Sequence, residues 1–342
     1  MVTISLCMIV KNEEKILARC LDSICDLMDE IIIVDTGSTD RTKEIAAGYT
    51  QKIYDFTWTG SFADARNFSF SKAECEYIYT ADADEVLDWE NHERFRKLKR
   101  SLLPEVELVQ MYYGNQLSYG TVYNFDRELR PKLFKRLRTF QWIEPVHETI
   151  RLLPVVYDSD IEITHLPEES HAGRDIEMFQ KMADAGQELS VRLMNLYARE
   201  LLLAGSEQDL MKAEGYFTQI AEDPETKQEQ FKEAVCIIVR AARLRGDYLK
   251  MFRYAMKDTA GDGGGVSEVC YELGEYYLST EEYQEAAIWY YNAAYETAGI
   301  LNIHCSQELP RLGLCRCYEA MGFYEQAESY KKEAEELASN AG

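Results

Sequence analysis

YIYTADADEVL, residues 77–87, places four residues suited to the inside of a sheet directly before three acidic ones, Asp82, Asp84 and Glu85. Charges are costly where water is scarce, so a buried strand that ends in carboxylates needs positive charge to meet them. Hard divalent cations prefer oxygen ligands, and Mg2+ typically takes one or two carboxylates together with phosphates. Asp82-Ala83-Asp84 at a strand end therefore suits one carboxylate on a sugar hydroxyl and the other on a cation that carries a diphosphate. Ala83 adds no bulk where a ligand must come close.

Two earlier stretches read the same way. ISLCMIV (4–10) and EIIIVD (30–35) are short, β-branched and continuously apolar, as strands buried on both faces of a parallel sheet must be. Between them Ile16, Leu17, Cys20, Leu21, Ile24 and Met28 recur near helical spacing and predict an amphipathic crossover helix. The βαβ rhythm continues with a helix over about 39–47, a strand KIYDFTW (52–58), a helix over about 62–73, and the strand that ends in Asp82. After residue 105, VELVQMYYG, RPKLFKRL and DIEITHL are strand-like and predict a mixed sheet. In open α/β sheets ligands sit beyond the carboxyl ends of the strands. Here those ends carry Asn12, Glu13 and Glu14, then Asp35, then Asp82 and Asp84. Asp35 is also suited to capping a turn, and Asp40 and Thr39 are expected to cap the helix that follows.

From about residue 175 the texture changes to Ala-, Leu-, Tyr- and Glu-rich helices. Ala213, Phe217 and Ile220 stand at intervals of four and three, Ala287, Tyr291 and Ala294 likewise, and Ala327 and Ala334 seven apart. A small residue that admits a neighbouring helix, with an aromatic beside it, resembles tetratricopeptide helix pairs. The predicted domains are 1–175 and 176–342, the first α/β and the second all-α.

Composition bounds the function. The chain has 342 residues and a formal net charge of −23, which argues against nucleic acid as a partner. The nine cysteines form no C-x-x-C pair and are expected to be reduced, in a cytoplasmic protein. The apolar N-terminal run is nine residues long and meets Lys11 at once, so it reads as a strand rather than a signal peptide or membrane span.

Five stretches in one order, ISLCMIVKNEE, EIIIVDTGSTDRT, FADARNFSF, TADADE and WIEPVHE, resemble family 2 glycosyltransferases of the GT-A fold, a Rossmann-like mixed sheet. The resemblance implies that Asp35 binds the base of a nucleotide-sugar, Asp82 its ribose, and Asp84 a Mn2+ or Mg2+ ion on the diphosphate. It also implies that Arg66 lies near the nucleotide, with Asn12 and Glu13 in the same donor-binding set, that the donor is a UDP-sugar, and that transfer inverts the anomeric carbon. An inverting displacement needs a general base on the face opposite the leaving group. WIEPVHETI (142–150) offers Glu144, His147 and Glu148, of which Glu148 of the HE pair is the first choice, with Glu144 in reserve. His165 is a candidate metal ligand, and His147 competes for that role; either is also suited to a structural hydrogen bond.

The α/β half followed by tetratricopeptide-like helices is similar to transferases that glycosylate ribosomally made peptides on Cys or Ser. A peptide or saccharide acceptor is expected, with the helical half also suited to a homodimer interface. Other readings are a lipopolysaccharide-core transferase, a sugar nucleotidyltransferase, and a non-catalytic binding scaffold. The nucleotidyltransferase reading lacks a glycine-rich loop after the first strand. The basic stretch RELRPKLFKRLR (127–138) suits an acceptor-phosphate site but is more simply read as alternating charge on an exposed strand.

Overall fold

The computed structural model of the chain describes residues 1–114, 127–150, 154–167, 172–259 and 265–340. These fall into two compact units, one of the residues up to 167 and one of the helices from Ala172 onward.

In the first unit an eight-stranded mixed sheet runs β3(Ile53–Asp55), β2(Glu30–Asp35), β1(Ile4–Val10), β4(Tyr77–Thr80), β7(Glu128–Lys135), β6(Leu108–Gly114), β10(Val156–His165) and β5(Glu85–Val86). The first four pair in parallel, as the βαβ rhythm requires, and β7 enters antiparallel between β4 and β6. Alternation along β1 makes the two layers. Ile4, Leu6, Met8 and Val10 pack with Leu17, Cys20, Leu21 and Ile24 of α1(Leu17–Ile24) and with Phe95 of α4(Trp89–Ser101). Cys7 packs on the other face with Ile32, Val34, Ala63 and Phe70, the last two from α3(Phe62–Phe70). α2(Thr42–Ala46) follows β2, and a two-stranded ribbon, β8(Trp142–Ile143) with β9(Thr149–Ile150), lies outside the main sheet.

The sheet is curled. Lys132 of β7 reaches Glu85 of β5 at 2.5 Å although β6 and β10 lie between those strands in the pairing order. Five residues of extended chain from Thr80 to Glu85 cover at most roughly 18 Å. Four strand spacings on a flat sheet would need about 19 Å.

This corrects the reading of the basic stretch. β7 is an internal strand rather than an exposed one, and Lys132 is only 5% exposed. Asp40 does support the start of α2, its Oδ1 accepting from the Thr42 N–H and hydroxyl. Thr39 does not; its N–H donates to Asn12 Oδ1 instead.

The second unit is all helix: α5(Ala172–Asp184), α6(Val191–Ala204), α7(Glu207–Glu222), α8(Gln228–Arg245), α9(Tyr248–Thr259), α10(Ser267–Ser279), α11(Tyr283–Tyr291), α12(Glu308–Ala320) and α13(Tyr324–Asn340). Ser206 and Asp209 form a reciprocal capping box at the start of α7. From α7 to α13 each helix packs on the next, which fits the expected helix pairs. Ala213, Phe217, Ala327 and Ala334 are buried as read from the spacing. α11 differs by one residue. Ala286, Ala287 and Tyr290 of α11 and Ala293 just after it are buried, while Tyr291 is 45% exposed, so the reading fails at the aromatic. The sequence repeats the same small–aromatic–small pattern on two adjacent faces, so spacing alone could not choose between them. Packing does choose: a Cβ on Gly274 or Gly313 would stand 2.7 or 2.6 Å from the Tyr290 ring, so the two glycines make the slot that holds it.

Candidate active site

The carboxyl ends of β1, β2 and β4 lie side by side, and the structure shows what each polar residue there does. Asn12, with φ +57°, turns the chain out of β1. Its N–H donates to Ser38 Oγ at 2.9 Å, so this turn and the one after β2 brace each other. The Glu13 N–H donates to Thr42 Oγ1 at 2.7 Å, which extends the brace to α2.

Asp35 is 1% exposed. Its Oδ1 accepts from the N–H groups of Gly37 and Ser38 at 3.0 and 2.9 Å, an Asx turn made possible by Gly37 at φ +109°. The turn-capping role is therefore real. Its Oδ2 is buried without a hydrogen-bond partner, and that leaves one acceptor for something else.

Asp82 and Arg66 form the centre. Arg66, on α3, donates from Nη1 to Thr80 Oγ1 at 2.8 Å, from Nη2 to Asp82 Oδ1 at 3.0 Å, and from Nε to Glu148 Oε1. Its guanidinium also lies over the Trp142 ring at 5.2 Å from the centroid. Burial alone would raise the Asp82 carboxyl, but Arg66 first, then Lys132, outweighs it and holds it well below the usual carboxylate range. Asp82 stays 42% exposed, whereas Arg66 and Glu148 are nearly covered, so Asp82 is the member of the trio that faces solvent. The structure thus joins Arg66, Asp82 and Glu148, three residues singled out from separate motifs. It also shows Arg66 bridging two carboxylates.

Asp84 is 8% exposed; Oδ2 meets His165 Nε2 at 3.2 Å and Oδ1 is buried without a hydrogen-bond partner. An oxygen and an imidazole nitrogen 81 positions apart in the sequence would suit a Mn2+ or Mg2+ ion, with the orphaned oxygen as a further acceptor. The pair is held by register, since His165 of β10 lies opposite Glu85 of β5. Glu144 and His147 belong to the loop between β8 and β9 and have φ of +70° and +47°. Two non-glycine residues in the left-handed region within four positions mark a loop whose shape its anchors impose.

Sequence reading missed Glu85 and Lys132 as a pair. Burial pushes the Glu85 carboxyl up to about 7, with Lys132 pulling the other way. A raised carboxyl favours folding fully below its ordinary value near 4.5, and that contribution is lost as pH rises through about 7. We therefore expect the metal-free protein to lose stability through this group as pH rises between those limits. In Glu85→Gln/Lys132→Met that slope should vanish, while Glu85→Gln alone, which strands a buried ammonium, should be the less stable of the two. Denaturant midpoints at pH 5 and pH 8 decide it; an unchanged slope in the double variant would remove the assignment.

Comparison with known proteins finds likeness over the part of the chain that carries these residues. The family described as "Glycosyl transferase family 2" matches residues 5–151, which include Asn12, Asp35, Arg66, Asp82, Asp84 and Glu148. The chain is 34% identical over 150 residues to a TPR repeat-containing protein of Synechococcus elongatus, covering 44% of this chain and 36% of that one. It is 33% identical over 121 residues to an uncharacterized glycosyltransferase of Rickettsia typhi, covering 34% and 41%. With the SPbeta prophage-derived glycosyltransferase SunS of Bacillus subtilis it shares 37% over 103 residues, 29% of this chain and 24% of that one. The matched region thus spans well under half the length of each of these relatives. Among solved structures, glucosyl-3-phosphoglycerate synthase from Mycobacterium tuberculosis, in complex with Mn2+, UDP-glucose and phosphoglyceric acid, superposes with a TM-score of 0.42 at 17% identity, covering 55% of this chain and 82% of that one. No helix among the described residues is long and apolar enough to cross a membrane. Residues 5–151 of this chain, somewhat under half of it, are similar in sequence to family 2 glycosyl transferases, and they are joined in sequence to a unit of packed helices.

Proposed function

We propose that the protein transfers a sugar, with inversion, from a UDP-sugar to a peptide, protein or saccharide acceptor, and that a divalent cation is required. The observation that carries this reading is the pair of orphaned carboxylate oxygens, Asp35 Oδ2 at the end of β2 and Asp84 Oδ1 in the turn between β4 and β5. A buried acceptor on Asp35 suits the imide N–H of a uracil, and Asp82, facing solvent, suits ribose hydroxyls. Asp84 and His165 would hold Mn2+ or Mg2+, which supplies charge to stabilise the departing diphosphate. The chain's own residues do the rest. An acceptor hydroxyl or thiol attacks the anomeric carbon, its proton passes to Glu148, and the bond from that carbon to the diphosphate oxygen breaks. Arg66 holds Glu148 and Asp82 in place meanwhile. The helical unit, with its stacked helix pairs, is the part suited to an extended acceptor chain.

Purified protein incubated with a panel of UDP- and GDP-sugars should hydrolyse a UDP-sugar slowly in Mn2+ and stop on addition of EDTA. Absence of turnover of every donor in the presence of Mn2+ would overturn the proposal.

A further inference from the structure

The loop that carries Glu148 is fastened to α3 by a side chain that no motif role explains. Asn67 donates from Nδ2 to the Trp142 carbonyl at 2.9 Å and accepts the Trp142 N–H on Oδ1 at 2.8 Å. A primary amide that makes both bonds to one residue imitates the backbone of a neighbouring strand, so Asn67 serves β8 as a strand partner one residue long. The mechanical line from there is short. Trp142 of β8 pairs with Ile150 of β9, Ile143 with Thr149, and Glu148 is the residue just before β9. At the other side of the loop the Phe62 N–H, at the start of α3, donates to the Pro145 carbonyl at 2.8 Å. The Trp142 ring lies under Arg66, whose Nε holds Glu148.

One helix therefore grips the loop at Trp142, at Pro145 and at Glu148, while its Arg66 also reaches Asp82 and Thr80. We propose that Asn67 is a positioning residue that sets the distance from Glu148 to the donor carboxylates, acting through β8 and β9 without touching substrate. This rests on the reading of Glu148 as the general base. The left-handed Glu144 and His147 fit it, because a loop held at both ends by α3 has its turn geometry dictated from outside.

The test is Asn67→Asp, which keeps the acceptor for the Trp142 N–H but turns the donor into an oxygen facing the Trp142 carbonyl. Asn67→Ala, which removes both bonds without adding charge, stands beside it if the first variant folds poorly. Misplacing a reacting group by about 1 Å costs on the order of 100-fold. We expect kcat for sugar transfer to fall by about 10- to 100-fold in either variant, with KM for the donor changed by less than about 2-fold. Hydrogen–deuterium exchange should speed up at residues 142–150 and stay as in the parent at 77–80. Unchanged kcat overturns the proposal, as does a lowered kcat without faster exchange at 142–150. A fall in kcat and donor affinity together, with faster exchange throughout the unit, assigns Asn67 a merely structural role and overturns it too. The exchange pattern is read without turnover. A parent inactive towards every donor would thus strike the proposed function, and loss of protection confined to 142–150 would still establish the clasp.

Discussion

Asp84→Ala should lose at least about 100-fold in metal-dependent turnover while its thermal midpoint stays close to that of the parent. The two halves of this expectation have separate causes. Oδ1 of Asp84 makes no hydrogen bond and is buried, so removing it takes away a group whose burial is costly rather than stabilising. Oδ2 makes one contact, to His165 at 3.2 Å, and the aromatic packing of His165 against Tyr113 at 5.1 Å is left in place. Turnover should fall for the opposite reason: the leaving diphosphate loses the charge that the Asp84–His165 pair would hold against it. Donor turnover with Mn2+ and with EDTA, Mn2+ binding, and a melting curve together measure this. A variant with full activity, or a parent indifferent to EDTA, would remove the metal from the reaction.

Much of this site was legible because it lies in short runs where local pattern and chemistry coincide. The apolar strand β1 leads into Asn12, β2 ends in Asp35, and β4 runs on into Asp82-Ala83-Asp84, and strand ends are where an α/β sheet presents side chains. What could not be read is made by pairings distant in sequence. Lys132 looked like a charge on an exposed strand because nothing local says that β7 slips between β4 and β6, or that the curl brings Glu85 to it. Asn67 sits beside Arg66 in a motif already noticed, yet its partner is 75 positions away and is a backbone group, which leaves no trace in composition or periodicity. Tyr290 was passed over for Tyr291 because adjacent faces of α11 carry the same pattern and only Gly274 and Gly313, on other helices, decide between them. Asp35 was read both as a turn cap and as a ligand; its Oδ1 fills the first role, and its Oδ2 is buried without a hydrogen-bond partner.

Glu148→Gln should keep donor binding and lose transfer by roughly 100- to 10,000-fold, the range that a positioned general base contributes. The substitution is close to isosteric, and the amide oxygen still accepts from Arg66 Nε, so the bridge from Arg66 to Asp82 and Thr80 should persist. What disappears is the ability to take a proton from the acceptor. The ion pair sharpens the test. Arg66 divides its hydrogen bonds between Asp82 and Glu148 rather than committing them all to Glu148. Arg66 has the geometry for that, with Nε towards one carboxylate and Nη2 towards the other. Glu144→Gln is the necessary companion, because Glu144 lies in the same loop and is held in a left-handed conformation that the substitution leaves possible. Transfer kinetics for both variants, with UDP binding measured alongside, separate the two. Should Glu144→Gln lose transfer while Glu148→Gln retains it, the proton goes to Glu144, and the Arg66–Glu148 pair is a brace for the loop rather than part of the chemistry.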